Sequence, residues 1–184
     1  MKHIYKVLSL SLFALVLFAS CDNQKSVQEY YVEKQDSNNF IAIDLPASII
    51  DVGDEASEET KATLATIKKL NVLAFKVDDS NKADYDKEYA EIKSILKNDK
   101  YNELMRMKHE GINIVINFQG SEEAVDEFIL LASDNSQGFA LARIRGDKMD
   151  PAKIIKMADE IKTMDTDGEA FAELGDLLQG FGVQ

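Results

Sequence analysis

The chain has 184 residues, with 21 Lys and Arg against 33 Asp and Glu, two His, one Cys and no Trp. That length suits one domain, and 45% apolar with 29% charged residues describes a chain that buries a core rather than a disordered tail. A formal charge of -12 argues against nucleic acid, which needs concentrated Lys and Arg, and a single cysteine excludes internal disulfides and multi-cysteine metal sites.

The first twenty residues read as an address. Lys2 and Lys6 precede an apolar run from Val7 to Ala19, interrupted by Ser9 and Ser11. As a helix this run reaches about 20 Å, short of the roughly 30 Å of bilayer hydrocarbon but right for the core of a signal peptide. Ala19 and Ser20 lead directly into Cys21, the only cysteine. The arrangement resembles a bacterial lipobox, in which the thiol is diacylated and the peptide is cut just before it, although Phe18 stands where Leu is commoner. Residues 1–20 are therefore expected to be a lipoprotein signal peptide and Cys21 the lipidation site. An ordinary secretory signal with an incidental cysteine is the plainer alternative. Cleavage leaves 19 basic against 33 acidic side chains, and the acyl chains on Cys21 hold the protein at the membrane.

Residues 21–39 read as a tether with a short helix around Val27, Tyr30 and Tyr31. Ile41, Ile43 and Leu45 alternate with Phe40 and Ala42, a buried strand closed by Pro46. Ser57 offers an N-cap, with Glu58 and Glu59 in the first turn, and Leu64, Ile67 and Leu70 carry helical spacing onward. Val72 to Val77 reads as a second strand, and Tyr85, Tyr89, Ile92 and Leu96 as the stripe of the next helix. Tyr101, Leu104 and Met105 suggest a further short helix. Ile112, Ile114, Ile116 and Phe118 alternate with Asn113, Val115, Asn117 and Gln119, as a one-sided sheet requires. The runs 125–133 and 139–145 flank a turn at 134–138 and form a hairpin. Asp150-Pro151 opens the last helix, with Ile154, Ala158 and Ile161 facing inward. Phe171, Leu174, Leu177, Leu178 and Phe181 lie in a Gly-containing C-terminal tail, 165–184. The order βαβαβββα predicts one α+β domain over 40–164, with a mixed five-stranded sheet and helices packed mainly on one face.

Phe-Ile-Ala-Ile-Asp-Leu-Pro at 40–46, Lys-Tyr-Asn-Glu-Leu-Met-Arg-Met at 100–107, the hairpin from Asp126 to Gly146 and Asp150-Pro151 together mark a resemblance. The chain resembles a group of Bacteroidota lipoproteins known as a domain of unknown function (number 4252), over roughly Val27 to Ile161. The resemblance implies a lipoprotein context and an α+β fold, and brings no activity and no catalytic residues. Its members often lie beside genes for extracytoplasmic sigma factors and their anti-sigma partners, which implies envelope signalling.

Candidate chemistry is sparse. His109 beside Glu110 is the obvious general base, but no Gly-x-Ser-x-Gly elbow accompanies it, and Lys108 to Gly111 reads more simply as a polar turn. Asp165, Asp167, Gly168 and Glu169 imitate the start of a calcium loop and lack its third ligand and its terminal Glu. Asp54, Glu55, Glu58 and Glu59 form an acidic cluster that capping and the helix dipole explain in part. Gly180 and Gly182 do not follow a strand, so they make no phosphate loop. The pairs Tyr30-Tyr31 and Tyr85/Tyr89 fit packing better than ligand stacking. No cofactor, metal or catalytic residue is expected.

The favoured function is a lipid-anchored, non-enzymatic envelope protein, a periplasm-facing binding or signalling module. Its partners are the membrane, through lipid on Cys21, and an envelope protein. It is placed in the bacterial cell envelope, on the periplasmic side or the cell surface. An envelope stress-response structural lipoprotein with an acidic surface is the alternative. A hydrolase using carboxylates such as Asp44 or Glu110 ranks last, because it needs two carboxyls facing each other across a cleft.

Overall fold

Ser26 starts the first helix by reciprocal capping, its hydroxyl accepting from the Glu29 N–H while the Glu29 carboxylate accepts from the Ser26 N–H. The computed structural model describes residues 24–163 except 51, 54 and 110. Cys21 and the tail 165–184 lie outside the described residues. In chain order the elements are α1 (Val27–Lys34), β1 (Phe40–Pro46), a 3-10 turn (Ala47–Ile49), α2 (Glu58–Leu64), β2 (Ile67–Lys76) and α3 (Lys82–Ile95). They continue with β3 (Asn102–His109), β4 (Ile112–Ser121), β5 (Ala124–Asp134), β6 (Gly138–Met149) and α4 (Pro151–Thr163).

The fold is α+β, as expected, with two differences in the sheet. It has six strands in the order β1-β2-β6-β5-β4-β3 where five were expected, and every pairing is antiparallel rather than mixed. The sixth strand is β3, the segment whose Leu104 and Met105 suggested a helix. Its register shifts between Glu103 and Met105, and beyond that bulge Met105, Arg106, Met107 and Lys108 alternate in ordinary strand fashion. The helix at Ser57 also stops sooner than Leu70. The hydroxyls of Thr63 and Thr66 donate to the carbonyls of Glu59 and Thr63, and β2 begins at Ile67. β1 is an edge strand rather than a buried one: Phe40 and Leu45 are buried, but Ile41 is 52% exposed.

Helices cover both faces of the sheet, not mainly one. On the first face, α1 and α3 pack Tyr30, Tyr85 and Ile92 over Phe75, Phe139 and Leu141, and Phe75 stacks on Phe139 with centroids 5.8 Å apart. The helix expected within the tether is part of this core, since Val27 and Tyr30 are fully buried. Glu88 of α3 clasps α1, accepting from the Tyr30 hydroxyl at 3.0 Å and from Lys34 Nζ at 2.8 Å. Burial, with Glu88 adding its charge, pushes the Tyr30 phenol far above its ordinary range. On the second face, α2 and α4 bring Leu64, Ile154 and Met157 over Phe118, Phe128 and Met149. The Asp150 carboxylate accepts from the N–H groups of Ala152 and Lys153, the cap that Asp-Pro predicted. Gly138 has φ +127, and a Cβ there would meet the Phe75 carbonyl oxygen at 1.9 Å, so only glycine lets β6 lie against β2.

Pairing carries two wholly apolar rows across all six strands of the second face. One runs Ile43, Val72, Ala142, Leu130, Ile116, Met105, and the other Ile41, Ala74, Ala140, Ala132, Ile114, Met107.

Candidate binding groove

Where the C-terminal half of α3 meets β3 and β4 there is a groove of about 500 Å³. From the helix side come Tyr89, Lys93, Leu96 and Lys97, one stripe at helical spacing. β4 contributes Asn113, Val115 and Asn117, the side of the strand that does not carry its isoleucines. The β3 bulge sets Arg106 and Lys108 beside these residues, paired with Val115 and Asn113.

Two features distinguish this groove. The first is charge. Lys93, Lys97, Arg106 and Lys108 face a single carboxylate, Glu103, giving three net positive charges in a chain of formal charge -12. Glu103 is taken by Arg106, which donates to it from Nε at 3.0 Å and Nη2 at 2.6 Å. This pairing holds the Glu103 carboxyl below its ordinary value. Some lysines elsewhere pair with acids, as in Lys34–Glu88 and Lys69–Asp44. Among the described residues, no carboxylate lies within ion-pair distance of Lys93, Lys97 or Lys108. The dipole of α3 favours Lys93 and Lys97 near its C-terminus but does not account for two more cations on β3.

The second feature is unmet hydrogen bonding. Asn117 is 3% exposed, and its Oδ1 has no partner among the described residues. Leaving such a group unpaired costs about 1–3 kcal/mol. An adjoining depression, lined by Lys25, Glu91, Lys97 and Asn98 among others, holds a second such atom: buried Asn98 Nδ2 has no acceptor among the described residues, while its Oδ1 accepts from the Lys100 N–H at 3.1 Å. Cations, unpaired amide atoms and apolar Val115 and Leu131 together suit an anionic ligand with polar groups of its own. Among the described residues, no hydroxyl other than that of Tyr89, and no imidazole or thiol, lines the groove.

The residues singled out by sequence are scattered. His109 is the exposed last residue of β3, ahead of the turn at Gly111, and Glu110 lies outside the described residues. Asp44 is held by Lys69 Nζ at 2.7 Å and by Asn71 Nδ2 at 3.0 Å. Glu58 and Glu59 pair with Lys61 and Lys156, while Asp54, Asp165–Glu169, Gly180 and Gly182 are outside the described residues. Tyr30, Tyr31 and Tyr85 are core residues, and burial, with Tyr89 beside it, pushes the Tyr85 phenol up to about 12. Tyr89 does both jobs: its ring stacks on Tyr85, its hydroxyl meets Ser133 Oγ at 2.8 Å, and it also lines the groove. Among the described residues, no cluster of three or more His, Cys, Asp or Glu is arranged to hold a metal, and no helix is long and apolar enough to cross a membrane.

The family described as Domain of unknown function (DUF4252) matches residues 30–157. The chain belongs to this family. The DUF4252 span begins inside α1, ends inside α4 and takes in all six strands and the groove. No curated protein and no solved structure matches the chain.

Proposed function

We propose that this DUF4252 protein is a lipid-anchored, non-enzymatic binding module of the bacterial cell envelope. Lipid on Cys21 ties it to the membrane, and the groove between α3, β3 and β4 receives its partner. Five residues separate Cys21 from Val27, so the domain stays within about 20 Å of its anchor. The observation that carries the binding role is the net positive charge of the groove beside buried Asn117 Oδ1, which has no partner among the described residues.

Crosslinked envelopes provide the test, comparing wild-type chain with a Lys97→Glu/Lys108→Glu variant. Wild type is expected to retain a defined envelope partner that the charge-reversed variant loses. Equal capture by both chains would overturn the groove as the contact. For the anchor, Cys21→Ala should release the folded protein from the membrane pellet after a carbonate wash, and a variant that stays in the pellet would overturn the lipoprotein assignment.

A further inference from the structure

We infer that the partner offers an extended segment of alternating acidic and apolar residues, which adds to the open edge of β3 as a seventh strand. The inference rests on the binding-module reading and names the chemistry of its partner.

β3 is the last strand of the sheet and pairs only with β4 among the described residues, so its outer N–H and C=O groups face away from the sheet. All eight of its residues are exposed. The opposite edge, β1, ends at Pro46, and its Asp44 pairs with Lys69, features that discourage pairing with another chain. On β3 the bulge disturbs only the first residues, leaving Met105 to His109 regular.

Each side of this regular stretch specifies what a neighbouring strand should carry. On the second face, the two apolar rows run across the whole sheet and stop at Met105 and Met107, which are 36% and 46% exposed. Apolar residues on an added strand would extend both rows by one position and cover these methionines. On the first face, the added side chains stand beside Arg106 and Lys108 at the rim of the groove. Acidic residues there meet cations at cross-strand distance and project toward Lys97 and Lys93.

The same charges argue against a second copy of this chain as the occupant. Antiparallel self-pairing centred on Arg106 sets two Arg106 side chains opposite each other. Pairing centred on Met107 sets Arg106 opposite Lys108. Like charges directly opposite destabilise a ladder. Strand addition supplies affinity through backbone hydrogen bonds and specificity through alternate side chains, so a short acidic–apolar segment suffices.

The test uses the full chain and two synthetic eight-residue peptides, one alternating Glu with Val and one alternating Lys with Val. Backbone amide hydrogen exchange is followed by mass spectrometry. The Glu peptide should slow exchange across residues 102–109 and protect Met105 and Met107 from peroxide oxidation. The Lys peptide should bind about tenfold more weakly, and an Arg106→Glu/Lys108→Glu variant should reverse the preference. Both substituted residues are exposed, so the variant keeps the fold. No protection by the Glu peptide at about 1 mM, or equal protection by both peptides, overturns the proposal. A self-associated chain whose β3 exchanges only on dilution overturns it in favour of a second copy. If the Arg106→Glu/Lys108→Glu chain still captures the envelope partner, strand addition fails while the binding-module reading stands.

Discussion

The two sides of β4 differ in a way that polarity alone does not predict. One carries Ile112, Ile114, Ile116 and Phe118, the other Asn113, Val115, Asn117 and Gln119. On the apolar side only Phe118 is buried, at 5% exposure, while the three isoleucines are half-buried. On the polar side Asn117 is more buried still, at 3%. The difference follows from where helices dock. α4 and α2 reach Phe118 at one end of the strand, and α3 walls off the amide side at the groove. Alternation establishes which residues share a face, and helix placement decides how deeply each face is buried.

The largest expected effect tests the polar face, where Glu127 and Arg143 form a buried pair at 2.6 Å. Arg143 also donates to Asn71 and Gln28, and its Nε is unpartnered among the described residues. Glu127→Ala leaves a buried guanidinium without its counter-charge and should cost about 3–5 kcal/mol in urea unfolding, while Glu127→Leu with Arg143→Met should recover most of that loss. A mild single mutant would show that water reaches this layer.

Phe118→Ala and Ile114→Ala then compare two positions on one side of β4. The first should cost roughly 3–5 kcal/mol and the second about 1–2 kcal/mol, because Ile114 is only half-buried. Equal losses would place a cover over the row through Ile114 as complete as the one over Phe118. Asn117→Leu sharpens the contrast further. Removing an unsatisfied buried amide should leave stability unchanged or raise it by up to about 1 kcal/mol, while weakening capture of the partner. A clear destabilisation would show that Asn117 is structural.

The smallest effect concerns pH at the clasp between α2 and α4. The Glu160 carboxylate accepts from the Thr60 hydroxyl at 2.6 Å, and from the Ser57 N–H at 2.7 Å and hydroxyl at 2.8 Å. These bonds hold its pKa below the ordinary 4.5. Its contribution is therefore present above pH 4.5 and is lost as the pH falls through the depressed folded value. Glu160→Gln should flatten the acid limb of the stability profile, and an unchanged acid limb would assign that loss to other carboxylates, such as hydrogen-bonded Asp134 and Asp78.

Much of the scaffold was legible because its signals are local. Asp150-Pro151, Ser57 and the hairpin around 134–138 act through neighbouring backbone, so short windows suffice to read them. β3 was missed although Met105, Arg106, Met107 and Lys108 alternate, because the bulge at Leu104 breaks the period where the segment begins. Ile67 and Leu70 sit at helical spacing from Leu64, yet they belong to β2, where pairing with β6 outweighs that spacing. The groove had no signature, since its cations come from two separate stretches of chain and Asn117 looks like the solvent side of a one-sided strand.

By itself, the sequence determined the α+β class, the caps and the alternating faces of β4, each set by residues within a few positions of one another. Only the tertiary structure decided that β3 is the last strand of the sheet among the described residues, that helices lie on both faces, and that Lys93, Lys97, Arg106 and Lys108 converge beside Asn117. Those outcomes depend on strand order and helix docking, which join residues far apart in the chain and leave no periodic trace in it.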